Sequence, residues 1–242
     1  MNKYLSPLET KMQADYDIIA SAFASSTRSI KWSELRDLIG AQKLNAQVLD
    51  IGCGAGRFCP PIIEDGFSYI GIDISQGQID QAKGACKQGQ FIQGSMLNLP
   101  FEDNRFDVVI FIASLHHLEN PAKRLQALKE AKRVLKKDGV ILITVMNFWR
   151  KKFWRLLFSK KKAKGYVSTE IYKSLKWNDV LWPWTWKSTQ PVYRYYHAFR
   201  KPELAGLIKE SGLKLEQINY RSEKNKAAWY KGKNLVAVAR KR

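Results

Sequence analysis

Cysteine and histidine are scarce in this sequence, with three of each in 242 residues. Cys53, Cys59 and Cys86 form no CxxC pair, and no group of Cys and His residues has the spacing of a zinc site. We therefore expect no metal, reduced thiols and a cytoplasmic protein, with a core large enough to need no disulfide. Cys53 stands inside a glycine-rich turn, where it is either a reactive thiol or a small packing residue.

Long apolar runs are also missing. The longest, such as residues 108–115, are much shorter than the ~20 residues that a membrane-spanning helix needs. The first residues lead into polar sequence, so we expect no secretory leader. We predict no integral membrane association, while peripheral contact with a membrane surface stays open.

Acidic residues are scarce in the second part of the chain. The net charge is +19, yet residues 1–147 hold 17 Lys and Arg against 16 Asp and Glu, a net of +1. Residues 148–242 hold 24 against 6, a net of +18. A generally basic soluble protein would spread its charge evenly. This asymmetry instead indicates a nucleic acid or an anionic membrane as the partner of the second part.

The chain does contain a glycine-rich turn behind a short apolar strand, at residues 48–56. Glycine lets the backbone turn sharply and lie against a ligand, because no Cβ stands in the way. Residues 70–74 form a second apolar strand containing Asp73, about twenty residues on, where an acid in such folds reaches a ribose hydroxyl. The pattern predicts a nucleotide-like cofactor on a strand-loop-helix corner. A turn of purely local use is the alternative.

The glycine spacing narrows the choice of cofactor. Dinucleotide-binding proteins carry G-x-G-x-x-G, whereas this chain has G-x-G-x-G, with Arg57 where a third glycine would be needed. Preceded by an acid, the pattern resembles the class I S-adenosylmethionine (SAM)-dependent methyltransferases, which implies SAM as the cofactor. The residues that we expect to bind it are Asp50, Gly52, Cys53, Gly54, Gly56, Arg57, Asp73, Ile74, Ser95, Met96 and Ala113. Ser95 stands where many of these enzymes carry an acid for the adenine amino group, and Arg57 is expected near the methionine carboxylate.

Strand and helix patterns alternate from residue 48 onward, which is typical of a parallel sheet with helices on both faces. We predict an α/β fold: a doubly wound, Rossmann-like seven-stranded sheet with a C-terminal antiparallel hairpin, a helical N-terminal cap and a basic aromatic insertion. One methyltransferase domain over residues 1–242 would comprise a cap (1–46), a SAM-binding core (47–147), a substrate-facing insertion (148–200) and a closing helix and hairpin (201–242). The predicted strands are residues 48–51, 69–72, 91–92, 106–112, 140–146, 213–220 and 234–239.

Two adjacent histidines, His116 and His117, follow the fourth predicted strand. Ligands in open α/β sheets bind beyond the carboxyl ends of the strands, so this loop is placed to reach the site. Either histidine is a candidate to lie beside the transferred methyl group. The alternative is that one packs under the cofactor and the other is exposed.

A basic aromatic stretch follows the fifth predicted strand. Cations interleaved with aromatic rings suit single-stranded RNA, because the cations meet phosphates and the rings stack on unpaired bases. The same composition on a helix suits an anionic membrane surface, and a basic helix packed on the sheet edge is a third interpretation. The candidate RNA-binding residues are Arg150, Lys151, Lys152, Trp154, Arg155, Lys160, Lys161 and Lys162.

Several motifs together resemble the tRNA carboxymethyluridine methyltransferases, which convert a wobble carboxymethyluridine to its methyl ester. They are Tyr16 with Phe23, Thr27-Arg28, residues 112–117, residues 179–184 and residues 194–199. The resemblance implies tRNA as the partner and, as in eukaryotic members, a small activating subunit. The residues that we expect at the reaction are Arg28, His116, His117, Arg194, Tyr196 and His197.

The implied chemistry agrees with the residues at hand. A carboxylate is already ionised at neutral pH, so its methylation needs no general base. A guanidinium group can donate two parallel hydrogen bonds to a carboxylate, and Arg28 and Arg194 are the candidates. Two alternatives stay open. Arg28 lies in a solvated break of the chain, or residues 194–197 form a structural latch that does not contact the substrate. A methyltransferase of a small molecule or membrane quinone, and a non-catalytic RNA-binding module, are the competing hypotheses.

Overall fold

The computed structural model describes residues 5–26, 31–39, 42–150, 164–184, 192–222 and 225–242. The α-helices are α1 (Pro7–Ile18), α2 (Ala20–Ala24), α3 (Cys59–Glu64), α4 (Gln76–Ala85), α5 (Pro121–Val134), α6 (Thr169–Ser174) and α7 (Lys201–Glu210). The strands are β1 (Gln47–Ile51), β2 (Ser68–Asp73), β3 (Gln90–Gln93), β4 (Phe106–Ile112), β5 (Leu135–Met146), β6 (Asp179–Trp184), β7 (Val192–His197), β8 (Lys214–Ser222), β9 (Asn225–Lys226) and β10 (Asn234–Arg240).

The main sheet has the strand order β3-β2-β1-β4-β5-β10-β8-β9. Strands β1 to β5 pair in parallel, and β10 lies antiparallel between β5 and β8. This confirms the predicted α/β sheet with its closing antiparallel hairpin. The predicted count of seven strands is wrong, because β9 adds an eighth at the edge. A strand of two residues carries no periodicity that a sequence pattern could reveal.

Apolar side chains cover both faces of the sheet, which explains the nearly continuous apolar runs in its central strands. Every residue of β4 except Asp107 is buried. One core cluster lies on each face, the first around Leu49 and Phe111 and the second around Val48 and Ile110. Alternate residues of one strand therefore pack into the cores on opposite faces of the sheet. This packing holds the strand ends at which the site is built.

Strand β5 begins earlier than its sequence suggests. We predicted a strand from Val140, but the strand runs from Leu135 and its pairing with β4 is irregular between Phe106 and Val108. Asp138 adopts a positive φ of 60° there. Residues 136–139 therefore belong to the strand, whose pairing with β4 is irregular there.

The N-terminal cap is helical as expected. Ser6 caps α1 in a reciprocal capping box with Glu9. Later in the predicted helical cap, the chain forms two short 3-10 turns, Trp32–Glu34 and Arg36–Ile39, rather than an α-helix. Arg28 lies outside the described residues.

The predicted insertion contributes α6 and a separate two-stranded sheet, β6 paired antiparallel with β7. Trp182 pairs with Arg194 and Pro183 with Tyr193. Two motifs that are ten residues apart in sequence are therefore the two strands of one hairpin, which we call the β6–β7 hairpin.

Cys59 and Cys86 form a disulfide across a sequence separation of 27 residues. It ties the start of α3 to the end of α4, and Cys53 is a free buried thiol. The expectation of reduced thiols throughout is therefore wrong for this pair. CxxC spacing could not have indicated it, since the two cysteines meet only through the packing of α3 against β2 and of α4 against β3.

Within the described ranges, no helix is long and apolar enough to cross a membrane. The same residues contain no group of three or more His, Cys, Asp or Glu side chains that could hold a metal ion.

Candidate active site

A cavity of ≈ 470 Å³ lies beyond the carboxyl ends of β1, β2 and β4. Its walls come from the glycine turn, the loop after β4, the N-terminal helices and the β6–β7 hairpin. The predicted site residues that line it are Asp50, Gly52, Cys53, Gly54, Arg57, Asp73, Ile74, Ser95, Met96, Ala113, His116, His117, Arg194 and Tyr196. Residues scattered over nearly 150 positions of sequence thus meet at one site.

The glycine turn needs glycine for two different reasons. Gly52 has a φ of 76°, and a Cβ built there would lie 2.4 Å from the Cβ of Ser114, so no side chain fits between the strand ends. Gly56 also has a positive φ, but it does not line the cavity. A Cβ there would lie 2.9 Å from Ala82 and Phe91. We expected Gly56 to bind the cofactor, whereas the structure places it where close packing requires glycine.

Asp50 is the buried acid at the base of the cavity. The Tyr69 hydroxyl donates to Oδ2 at 2.7 Å. Oδ1 is buried and has no hydrogen-bond partner among the described residues. Burial raises the pKa of Asp50 to about 7. An acid with one unsatisfied oxygen facing a cavity is suited to a cationic or hydrogen-bond-donating ligand.

Asp73 ends β2 and shapes the glycine turn. Its carboxylate accepts the Gly54 N–H at 2.8 Å and the Ser75 N–H at 3.0 Å. Burial nevertheless raises the pKa of Asp73 above its ordinary value. Each oxygen keeps further acceptor capacity toward the cavity, as two neighbouring ribose hydroxyls would require.

The loop after β4 holds a strained residue at the cavity. Ala113 has a φ of 58°, which is uncommon for a residue with a side chain. Its N–H donates to the carbonyl and the hydroxyl of Thr144 at 3.0 and 3.1 Å, and the next hydroxyl, of Ser114, donates to the Ile51 carbonyl at 2.5 Å. These bonds fix the turn that directs the following histidines inward.

The two histidines both line the cavity and are both neutral. The Met146 N–H donates to Nδ1 of His116 at 3.3 Å, so Nε2 carries the proton, and it is buried without a partner. In His117, Nδ1–H donates to the Tyr195 carbonyl at 2.7 Å, and Nε2 accepts from the Tyr16 hydroxyl at 3.0 Å. Burial lowers the pKa of His116 well below its ordinary value and that of His117 to about 3.

Arg194 reaches the cavity from β7. It is only 7% exposed, hydrogen-bonds Tyr16, and lies 4.6 Å from the ring centre of Trp184 and 5.3 Å from that of Tyr196. No salt bridge joins it to a described carboxylate, and its Nε has no hydrogen-bond partner there. A buried guanidinium that faces a cavity without a carboxylate partner favours a ligand with an anionic group.

His197 does not line the cavity, so the structure gives it a different place from the one predicted. Its Nδ1 lies 2.9 Å from Asp179 Oδ1 and its Nε2 lies 2.6 Å from Glu203 Oε1. The Tyr195 hydroxyl also donates to Asp179 at 2.8 Å, and Arg124 donates to Glu203 at 3.0 Å. These five side chains form a buried network that anchors the β6–β7 hairpin to α5 and α7.

Several lining residues escaped the sequence predictions. Tyr16 and Phe23 were named among the motifs of the resemblance but not assigned to the site, although their rings pack edge to face 5.2 Å apart at the cavity wall. Trp182, Pro183 and Trp184 line it from the hairpin. Their aromatic character was the available signal, but only the packing of the cap and hairpin over the sheet brings them to one wall.

The predicted RNA-binding residues fall mostly outside the described part of the chain. Arg150 is described and half-buried just after β5. Lys151, Lys152, Trp154, Arg155, Lys160, Lys161 and Lys162 lie outside it.

Comparison with known proteins settles the family. Residues 49–143 match the family described as "Methyltransferase domain". A Schizosaccharomyces pombe protein named tRNA (carboxymethyluridine(34)-5-O)-methyltransferase is 31% identical over 202 residues, covering 81% of this chain and 86% of the relative. This chain belongs to the SAM-dependent methyltransferases.

Solved methyltransferase structures share the fold. A SAM-dependent methyltransferase from Methanosarcina mazei aligns with a TM-score of 0.65 at 21% identity, covering 83% of this chain and 94% of the other. A chain from the complex with the Haloferax volcanii Trm112 methyltransferase activator aligns with a TM-score of 0.66 at 15% identity, covering 95% and 96%.

The residues that line the cavity are suited to SAM. The unpartnered Oδ1 of Asp50 suits the positively charged amino group of the methionine moiety. Gly52 and Gly54 line the cavity with backbone alone, and Asp73 has acceptor capacity for a ribose. Asp50, Gly52, Gly54 and Asp73 would therefore hold SAM, which supplies an electrophilic methyl group on a sulfonium when bound.

Proposed function

We propose that this methyltransferase acts on tRNA and methylates the carboxylate of a carboxymethyl group on a wobble uridine. The observation that carries the proposal is Arg194, a buried cation in the cavity wall with no salt bridge to a described carboxylate. The printed name of the Schizosaccharomyces pombe relative supports the substrate, and the net charge of +18 in residues 148–242 supports a polyanionic partner.

The chemistry follows from the state of the side chains. Arg194 and the Nε2–H of His116 are donors that would hold a substrate carboxylate. That carboxylate is ionised at neutral pH, so a carbon–oxygen bond can form at the methyl carbon, while the electron pair of the broken carbon–sulfur bond stays on sulfur. No proton has to be removed, which agrees with two histidines whose pKa values are lowered by burial.

Positioning then supplies most of the rate. The aromatic side chains of Tyr16, Trp184 and Tyr196 surround Arg194 and exclude water from it. A carboxylate held there is partly desolvated and aligned, and the ion pair is stronger than it would be in water. We expect Arg28 to contribute a second guanidinium, although it lies outside the described residues.

The deciding experiment gives the purified protein labelled SAM and tRNA that carries carboxymethyluridine. We expect a base-labile methyl ester on that nucleoside, identified by mass spectrometry after digestion. The matched control is the same tRNA with unmodified uridine, which should accept no methyl group. Transfer to neither tRNA would sink the proposal, and flotation with anionic liposomes without tRNA binding would instead favour a membrane-bound quinone or lipid substrate.

We also propose a small activating subunit as a partner and the cytoplasm as the location. The likeness to the chain solved with the Trm112 activator motivates the first. Titrating a purified activator of that class into the methylation assay should raise the rate of methyl transfer, and co-expression with it should raise the yield of soluble enzyme. In the reducing cytoplasm the Cys59–Cys86 disulfide would persist only because both residues are buried and shielded from small reductants.

A further inference from the structure

A cluster of exposed aromatic side chains lies outside the cavity, in the basic part of the chain. Trp177, Trp229 and Tyr230 are 62%, 58% and 45% exposed. Large apolar side chains normally reach the surface singly, and clusters of them mark interaction sites. We define the aromatic-basic face by six residues: Trp149, Trp177, Arg200, Trp229, Tyr230 and Lys231.

The first half of this face is a cluster of two indoles, tilted by 59° to each other, and a guanidinium. The Trp149 Nε1–H donates to the Phe199 carbonyl at 3.0 Å, which fixes the ring. The Trp177 ring lies 5.7 Å from it, and the Arg200 guanidinium lies 4.5 and 5.0 Å from the two ring centres. A ring held in this way loses little freedom when a ligand stacks on it.

One buried side chain joins this cluster to the second half of the face. Asn147 donates through Nδ2 to the carbonyls of Trp229 and Gly232 at 2.6 and 3.0 Å, and its Oδ1 accepts the Trp149 N–H at 3.1 Å. All of its hydrogen-bonding groups thus clamp the turn at residues 229–232 beside Trp149. The exposed rings are therefore part of a built structure rather than a loose loop.

The charge on this face is uncompensated within the described residues. The Lys231 ammonium lies 5.7 Å from the Tyr230 ring centre, and no salt bridge of the described part neutralises Arg200 or Lys231. The face also adjoins the cavity, since Phe148 packs 5.3 Å from the cavity residue Tyr196 and precedes Trp149 directly.

We propose that the aromatic-basic face is a docking surface for single-stranded RNA, which stacks its unpaired bases on the tryptophans and places its phosphates against Arg200 and Lys231. Aromatic rings next to cations accept any base sequence, as a surface that holds nucleotides flanking a target requires. This docking surface rests on the proposed function, because it takes RNA to be the substrate. It gives the nucleotides that flank the target a binding surface separate from the cavity.

The test measures binding of a labelled single-stranded RNA of about 12 nucleotides by fluorescence anisotropy, without methyl transfer. Trp177→Ala and Trp229→Ala should each weaken binding about tenfold, while SAM affinity and thermal unfolding stay unchanged. Arg200→Ala and Lys231→Ala should each reduce the slope of log affinity against log salt concentration by about 0.7. Tyr166→Ala and Lys83→Ala are the matched controls, since both side chains are exposed and the ring contact described for Tyr166 is with Tyr193, which does not belong to this face.

The outcomes separate this proposal from the function. RNA affinity unchanged in both tryptophan variants would overturn the docking surface, even if the enzyme methylates tRNA. Loss of binding to anionic vesicles with unchanged RNA binding would assign the face to a membrane and also overturn it. Weakened RNA binding in an enzyme that fails to methylate carboxymethyluridine would leave the surface standing and reject only the substrate.

Discussion

Asp50 shows at the scale of a single residue how burial prepares a site for its ligand. Its ordinary pKa of 3.8 is raised to about 7, because the carboxylate is fully buried and only one oxygen is hydrogen-bonded by Tyr69. The native protein therefore holds more protons than the unfolded chain between these two values. The contribution of Asp50 to the free energy of unfolding therefore falls as the pH rises through that window. A bound cationic ligand should restore the lost stability.

We predict that SAM binds the free enzyme more tightly as the pH rises toward 7, by up to about tenfold per pH unit, with a plateau above. The reason is that ionised Asp50 attracts the cationic ligand, while the protonated form does not. Calorimetry from pH 5.5 to 8.5 (~3 units about this pKa) measures it. The Asp50→Asn variant should bind SAM more weakly, and its affinity should not depend on pH in this way. The amino group of SAM titrates equally with both proteins, so the same pH dependence in the variant would show that Asp50 is not the titrating group.

Arg194 is the residue on which the substrate proposal depends. Replacing it by Gln should lower kcat/KM for carboxymethyluridine tRNA about 100-fold, because a charge-assisted hydrogen bond to the substrate contributes roughly 1.5–3 kcal/mol. Arg194→Lys should restore part of the loss, since it keeps the charge without the fork. SAM affinity should change less than twofold. A normal kcat/KM in Arg194→Gln would show that another group holds the carboxylate.

At the scale of secondary-structure elements, the Cys59–Cys86 disulfide joins α3 to α4 below the glycine turn. Closing a loop of 27 residues should stabilise the fold by roughly 3–4 kcal/mol. We predict that the double variant Cys59→Ser/Cys86→Ser lowers the free energy of unfolding by about that amount.

Thiol titration of the unreduced, unfolded protein provides the control for this prediction. It should count one thiol, that of Cys53, and three only after reduction. Three thiols without reductant would show that the bond does not form in solution.

The β6–β7 hairpin owes its position to the network around Asp179. We predict that Asp179→Ala destabilises the protein by about 3 kcal/mol, because it leaves the His197 Nδ1 and the Lys176 N–H without their acceptor and removes one of the two acceptors of the Tyr195 hydroxyl. It should also raise KM for tRNA more than it weakens SAM binding, since the hairpin carries Arg194. Urea unfolding and steady-state kinetics measure both. Glu170→Ala, at an exposed acid on α6, is the control and should stay within about 0.5 kcal/mol of the parent.

The whole molecule divides into a nearly neutral part that binds the cofactor and a part with a net charge of +18. We predict that tRNA affinity falls steeply between 50 and 200 mM salt (about 10³-fold for six phosphate contacts), because released counterions drive polyanion binding. SAM affinity, which depends on buried groups, should change less than twofold. Filter binding and calorimetry in the same buffers compare the two, and a tRNA affinity that is insensitive to salt would remove the electrostatic argument for RNA.

The sequence alone determined most of the sheet, the cofactor class and many of the residues that line the cavity. Buried strands and glycine turns are local patterns, and Asp50 and Asp73 stand at strand ends whose spacing is set along the chain. The sequence could not show that Gly56 is closely packed outside the cavity lining, because close packing and ligand access both select glycine.

Only the tertiary structure decided which side chains meet. It brought Tyr16, His117 and Arg194 together from three distant segments, separated His197 from Tyr196, and paired Cys59 with Cys86. Neighbouring residues on a strand point to opposite faces, so the four-residue motif at residues 194–197 had to divide between the cavity and the network. Such contacts depend on how the hairpin and the cap pack over the sheet, which no pattern along the chain records.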